Sequence, residues 1–323
     1  MDVSFIIPAY NIEPYLERCI KSIVEQPFSG SYEVVIVDDC STDATLALAK
    51  NIADKHEEVC VIEHRENKKA SQARATGFKH SKGEYVWYID GDDWIGKNVL
   101  QSIYDIINVQ KLDVLLLKAV RHDGNKKLKP LNLYGSSKNK GYLIESNFMG
   151  AVVAKFIRRD CINDNYVLFS DSFNSGDDYI LSMELFYNIS KVELLDEIEV
   201  YYYFTNLNSI TQTVKVEGLI DNYLTKIIPL TNKIKHKYSS REFKNYDQDL
   251  FNGCLNCILK SNHLIKEKDL EFKNRLTIRA KEYSKILGFK KFNFNKWNII
   301  SYRFIKNKSI KGFMSDLYHF VLK

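Results

Sequence analysis

The chain has 323 residues, 45% of them hydrophobic and 27% charged, with a formal net charge of +5. That size and apolar content suit a globular protein with a large core or two domains, and no internal repeat or low-complexity segment interrupts it. No run of about 18 apolar residues occurs, so a membrane-spanning helix is not expected, and Asp2 stands where a signal peptide would carry positive charge, which points to the cytosol.

In chain order, Val3 to Ile7 is apolar and β-branched and predicts a buried strand stopping at Pro8. Ile12, Leu16, Ile20 and Ile23 then recur at helical spacing. Tyr32 to Val37 predicts a second strand ending in Asp38 and Asp39, after which Ser41 or Thr42 can cap a helix carrying Leu46, Ala49 and Ala53. A third strand is expected at Val59 to Ile62, a helix at Ala70 to His80, and a fourth strand at Tyr85 to Ile89. Leu100, Ile103 and Ile107 mark another helix before a strand at Val114 to Leu117. This alternation implies an α/β domain with a mostly parallel sheet, in which ligands bind outside the carboxyl ends of the strands. Tyr10, Asp38, Asp39 and the acids from Asp90 to Asp93 should therefore surround one crevice.

The polar segment from Arg121 to Gly141 reads as an exposed loop, and order should return near Phe148. Asp177 and Asp178 precede Leu181, Leu185, Phe186 and Ile189 and so open a helix; Val192 to Leu195 and Val200 to Phe204 look like short strands. Past about Lys215 long helical patterns continue to the end, which divides the chain into an α/β domain over residues 1–215 and a helical region over 216–323.

Two residue types carry little chemistry. Cys19, Cys40, Cys60, Cys161, Cys254 and Cys257 are scattered as in a protein of a reducing compartment, and the single Cys254/Cys257 pair suits packing. None of the histidines has a partner at metal-ligand spacing, so they are read as surface or packing residues.

The acids are another matter. Tyr85 to Ile89 ends abruptly in Asp90, Gly91, Asp92 and Asp93, and like charges so crowded raise one another's pKa unless a cation sits among them. Oxygen ligands favour Mg²⁺ or Mn²⁺. In an extended segment Asp90 and Asp92 share a face, and Gly91 would let a ligand approach the backbone. A polar turn that caps the next helix is the alternative. Neither a GxGxxG turn nor a P-loop is present, so phosphates must be held another way. A divalent cation on Asp92 would serve.

Pro8-Ala9-Tyr10-Asn11, Val37 to Asp43, Ala73 to Gly77, Gly83-Glu84-Tyr85, Asp90 to Asp93 and Gly176-Asp177-Asp178 stand in an order that resembles family 2 glycosyltransferases with the GT-A fold, above all the bacterial members that build capsule, O-antigen and related surface polysaccharides. The likeness covers about residues 1–213. It implies that Pro8 and Tyr10 lie by the nucleotide, Tyr10 against its base, that Asp39 bonds the base edge, and that Arg74 helps hold the phosphates. Asp90 and Asp92 match the DxD pair, with Asp92 the usual metal ligand and Asp90 its companion. Asp177 and Asp178 match the acidic pair beneath the acceptor, which makes Asp178 the base. From the residues alone, Tyr10 is as easily a loop aromatic, Asp39 a turn former, Arg74 a solvated helix residue and Asp178 a helix cap. Two departures stand out: Lys69 where the family often has glycine, and Asp177 where it has glutamate.

The resemblance implies a metal-dependent inverting transferase that uses a nucleotide-activated sugar, with UDP favoured, and a saccharide or lipid-linked saccharide acceptor. A nucleotidyltransferase would be expected to show a basic, glycine-rich N-terminal loop. A catalytically silent homologue that binds saccharide or scaffolds an assembly is the reading from another class, and the joint retention of Asp39, Asp92 and Asp178 argues against it. From Gly288 onward eight basic side chains face only Asp316, interleaved with Trp297, Phe304, Phe313 and Phe320 at roughly helical intervals. Such a tail suits either an anionic membrane surface on the cytoplasmic side or packing on this domain or a second copy of the chain. Nucleic acid is not an expected partner, because the rest of the chain is slightly acidic and shows no recognition motif.

Overall fold

The computed structural model describes residues 1–131, 151–162, 177–186 and 188–205. The chain divides into two compact units, and every described residue lies in the first. The expected boundary at residue 215, the helical region beyond it, the Cys254/Cys257 pair and the basic tail all fall outside the described residues.

The elements follow in the predicted alternation. Strand β1 (Val3–Ala9) leads through helix α1 (Glu13–Val24) to β2 (Tyr32–Asp38), then α2 (Thr45–Ala53), β3 (Val59–Glu63), α3 (Lys69–His80) and β4 (Tyr85–Tyr88). A short β5 (Trp94–Ile95) precedes α4 (Leu100–Gln110), β6 (Val114–Leu117), β7 (Ala119–His122), β8 (Lys127–Leu131) and β9 (Lys155–Arg158). Helix α5 (Asp177–Phe186), β10 (Val192–Leu195) and β11 (Tyr201–Phe204) complete the described chain. A seven-stranded sheet runs in the order β10-β6-β9-β4-β1-β2-β3. All its pairings are parallel except the two that β9 makes with β4 and β6. A second sheet runs β5-β11-β7-β8.

The continuous apolar runs do what such runs predict: β1, β2, β4 and β6 are buried almost throughout. Phe5, Trp87 and Phe156 touch across three adjacent strands, with Tyr85 stacked on Phe156 at 5.5 Å between ring centres. Helix α3 lies close against β1 and β2, and Gly77 is the reason it can, since a Cβ there would stand 2.4 Å from Ile6 Cγ2. At the start of α4 the buried Gln26 accepts from the amides of Val99 and Leu100 and donates to Gly96 O, which fixes the chain after β5.

Three local expectations are corrected. Strand β1 runs on through Pro8 to Ala9, because β4 pairs with β1 only over Val3–Ile6 and leaves no ladder position there that needs a proline N–H. Ser41 and Thr42 do not cap α2; they turn instead to Asn11, and Asp43 Oδ1 accepts from the Thr45 amide at 2.9 Å. The segment expected as a loop from Arg121 holds a hairpin of β7 and β8, and β7 is paired on its other side with β11. Its remainder, residues 132–141, lies outside the described residues.

Candidate active site

Because β4, β1 and β2 are parallel neighbours, their carboxyl ends open on one rim, and that rim carries Tyr10, Asp38, Asp39 and Asp90 to Asp93 together. At the β1–β2 end the Tyr10 ring is 42% exposed. Behind it Asn11, with a left-handed φ of 52°, accepts from the Thr42 amide at 2.8 Å and donates its own amide to Ser41 Oγ at 3.1 Å. Asp39 is buried, and its carboxylate already serves the chain. Its Oδ1 accepts from His64 Nδ1 at 2.7 Å and from the Lys68 amide at 2.8 Å, and Oδ2 accepts from the Lys69 amide at 2.7 Å. An ionised carboxylate can only accept, so His64 Nδ1 donates, and Nε2 meets Thr76 Oγ1 at 2.9 Å. His64 is thus a buried residue that braces Asp39 and Thr76. Only its placement beside β2, at the end of β3, could have revealed it.

At the β4 end the acids do not continue an extended strand. Asp93 N bonds Asp90 O at 2.9 Å and closes a tight turn, so the shared face expected for Asp90 and Asp92 from strand periodicity does not arise that way. Gly91 also lets the turn pack onto the entry to α1, since a Cβ there would lie 2.2 Å from Ile12 Cδ1. Asp93 is fully buried and accepts from Tyr201 Oη at 2.6 Å and from the Phe204 amide at 2.7 Å. Burial first, and then the charges of Asp92 and Asp90, hold its carboxyl well above the usual carboxylate range. Tyr201 Oη also accepts from the Asp90 amide at 3.2 Å, so one phenol fastens both ends of the turn.

The third group comes from α5, where Asp178 sits inside the first turn rather than at the cap. Ser182 Oγ donates to its carbonyl at 2.6 Å. Arg74, buried on α3, spans the gap: Nη2 donates to Asp90 Oδ1 at 2.6 Å and Nη1 lies 3.9 Å from Asp178 Oδ1. A single guanidinium therefore ties the acidic turn to the start of α5. Lys155, at the start of β9, is fully buried, donates to Ala151 O at 3.0 Å and feels the charge of Asp178. Burial pulls its ammonium down to about 7, with Asp178 opposing the shift. Neither Lys155 nor Tyr201 stood out in the sequence, since each reads as an ordinary strand residue. Asp177 is the first residue of α5, one step before Asp178, and Pro8 lies in β1 beside Val37.

Residues 4–172 match the description of glycosyl transferase family 2. The chain belongs to that family. Among its curated relatives, the uncharacterized glycosyltransferase EpsJ of Bacillus subtilis is 27% identical over 233 residues, which cover 69% of this chain and 67% of EpsJ. The poly(ribitol-phosphate) beta-N-acetylglucosaminyltransferase TarS of Staphylococcus aureus is 29% identical over 208 residues, or 64% of this chain, and the match spans only 36% of TarS. A crystal structure of S. aureus TarS 1-349 in complex with UDP-GlcNAc superposes with a TM-score of 0.70 at 24% identity, covering 89% of this chain and 82% of that one. The mostly parallel sheet flanked by helices is thus the GT-A-like α/β fold of this glycosyltransferase family.

Divalent metals are common in GT-A enzymes of this family, and the turn offers the chemistry one needs. Among the described residues no three His, Cys, Asp or Glu side chains converge as a ready-made metal site. Mg²⁺, however, is usually held by one or two carboxylates, with substrate phosphates completing its shell. Asp93 is turned inward to Tyr201 and Phe204, and Asp90 is bonded to Arg74. Asp92 lies between them in the same turn, and burial followed by the charges of Asp92 and Asp90 raises the Asp93 carboxyl. No helix among the described residues is long and apolar enough to cross a membrane.

Proposed function

We propose that this family 2 chain is a metal-dependent, inverting glycosyltransferase that moves a hexosyl or N-acetylhexosaminyl group from a UDP-sugar to a saccharide acceptor in the synthesis of a bacterial surface polymer. The observation that supports the reading is Arg74, which holds Asp90 at 2.6 Å and stands 3.9 Å from Asp178, so that one guanidinium links the acid turn to the first turn of α5. In this reading Asp92 would hold Mn²⁺ or Mg²⁺, with Asp90 beside it. The bound ion would offset the diphosphate charge and stabilise the departing UDP, a contribution of several kcal/mol. Pro8, Tyr10 and Asp39 line the nucleotide side, with the exposed Tyr10 ring available to stack on the base. Arg74 and Gly91 belong to the diphosphate side.

Asp178 removes the proton from the acceptor hydroxyl as that oxygen attacks the anomeric carbon. The bond from that carbon to the diphosphate oxygen breaks on the opposite face, and configuration inverts. Asp178 can take this proton from the first turn of α5, where the Arg74 guanidinium stands 3.9 Å from its Oδ1. Asp177 precedes it on the acceptor side. The complex of TarS with UDP-GlcNAc favours a UDP-sugar donor here, and the poly(ribitol-phosphate) in the name of TarS favours a bacterial surface polymer as acceptor. A lipid-linked acceptor would give the basic tail after Gly288 a reason to meet an anionic membrane, and vesicle sedimentation of the full chain against one truncated at Gly288 tests that arm.

A screen of UDP-, GDP-, CDP- and dTDP-sugars, with and without Mn²⁺, tests the donor by thermal shift and by sugar release, and needs no acceptor. A metal-dependent response confined to UDP-sugars is expected. Equal responses with EDTA present would remove the metal from the mechanism, and no response to any donor would favour the saccharide-binding or scaffolding homologue.

A further inference from the structure

The catalytic reading makes no use of Arg18, yet this side chain is held by more contacts than its place on a surface helix requires. Its Nη2 donates to Asp92 O at 2.8 Å. Its guanidinium carbon lies 3.9 Å from the centre of the Trp94 ring, 4.7 Å from that of Phe204 and 6.0 Å from that of Tyr15. Trp94 is itself stacked against Tyr202, with centres 5.5 Å apart and planes 12° from parallel. Lys127 Nζ stands 5.6 Å from the Tyr202 ring and is ion-paired with Glu199. Pairwise contacts, cation to ring to ring to cation, therefore link the β7–β8 hairpin to the backbone of the acidic turn.

This geometry departs from that of an ordinary surface arginine. Burial opposes the charge of Arg18, and the carboxylates of Asp93 and Asp92 offset part of that cost. The Nε is buried with no hydrogen-bond partner, so the head group is positioned for the Asp92 carbonyl and the rings at the expense of one donor. A planar guanidinium fork suits this arrangement, because one edge bonds the carbonyl while the faces stack on aromatic rings.

We infer that Arg18 is a positioning residue for the donor diphosphate site, which fixes the main chain of Asp92 against the Trp94–Tyr202 stack and so presents the Asp92 carboxylate to a divalent cation and its nucleotide. The inference rests on the reading of Asp92 given above. It assigns to Arg18 no contact with the sugar and no part in proton transfer. It also gives the second sheet a role, because β5 and β11 carry rings on which the arginine is braced.

Calorimetric titration of Mn²⁺–UDP into the full chain tests this without turnover, with melting temperatures measured alongside. Arg18→Gln should bind Mn²⁺–UDP about tenfold more weakly, the loss expected for one hydrogen bond from a charged donor. Arg18→Lys should recover part of that loss, because an ammonium can still reach a carbonyl and face a ring. Asp92→Asn should lose metal-dependent binding altogether. Wild-type affinity in a folded Arg18→Gln, with binding lost in Asp92→Asn, overturns the role of Arg18 alone. Wild-type affinity in Asp92→Asn overturns the reading of Asp92 and the role of Arg18 with it. Should Arg18→Gln fail to fold, Trp94→Leu decides the matter, since it removes the brace and keeps the charge. Weakened binding there supports the role, and unchanged binding refutes it.

Discussion

The β1–β2 end of the rim and the β4 end hold buried carboxylates under opposite conditions. At the first, Asp39 meets a histidine and two backbone amides, so the chain itself partners its carboxylate. At the second, Asp93 is buried beside Asp90 and Asp92 and is pushed toward its protonated form. The chain itself partners the first, whereas the second crowds three acids into one turn, an arrangement that a divalent cation would relieve in the reading proposed above. The contrast suggests a preformed nucleotide side joined to a reacting side whose electrostatics are finished only by its ligands.

The largest expected effect falls on the reacting side. Asp178→Asn should lower kcat by about 10²–10⁴ while leaving the donor KM close to that of the wild type, as loss of a general base does. Steady-state kinetics with a working acceptor reads this, and near-normal turnover would refute the assignment. The preformed side should respond in stability instead. Asp39→Ala strips His64 Nδ1 and the amides of Lys68 and Lys69 of their acceptor, and urea unfolding should show a loss of about 2–3 kcal/mol, since hydrogen bonds to a charged group are the stronger kind. An unchanged unfolding midpoint would mean that this end is not preformed.

Lys155 sharpens the comparison through pH. Its folded pKa is lowered from 10.5 to about 7, so between those values the unfolded chain holds a proton that the folded chain does not. Stability from this group therefore rises as pH increases through that window, and it is reduced on the acid side of it. The melting temperature of wild type minus that of Lys155→Met should climb from pH 7 toward pH 10; a flat difference would show that the ammonium stays fully charged against Asp178.

The smallest effect is expected at Lys69, whose φ of 74° places a side chain in the left-handed region while its amide serves Asp39. Lys69→Gly should stabilise by about 0.5–1 kcal/mol, and chemical denaturation can resolve a gain of that size. The departure from the family's usual glycine thus has a local physical meaning: the chain keeps the conformation and bears the strain.

Much of this molecule was open to a reader of its residues. Apolar runs that end in acids gave the parallel strands and the rim, because burial on both faces demands unbroken hydrophobicity and a ligand site demands an abrupt end to it. Helical spacing of Asp178 with Leu181 and Leu185 placed the acid at the opening of a helix. Arg121 to Leu131 was misread because a hairpin lying beside β11 is stabilised by that pairing, and polar residues at its surface carry no alternating signal.

The order of apolar and acidic residues along the chain therefore determined the strands, the helices and the family to which they belong, since those depend on local periodicity and on motifs a few residues long. Folding alone decided that His64 would meet Asp39, that Tyr201 would fasten the turn at Asp90, and that Arg18 and Lys155 would be drawn into buried contacts. Each of those partners lies far off in sequence or reads as an ordinary helix or strand residue. Only the close approach of strands and helices, where charge is costly to bury without a partner, could choose among them.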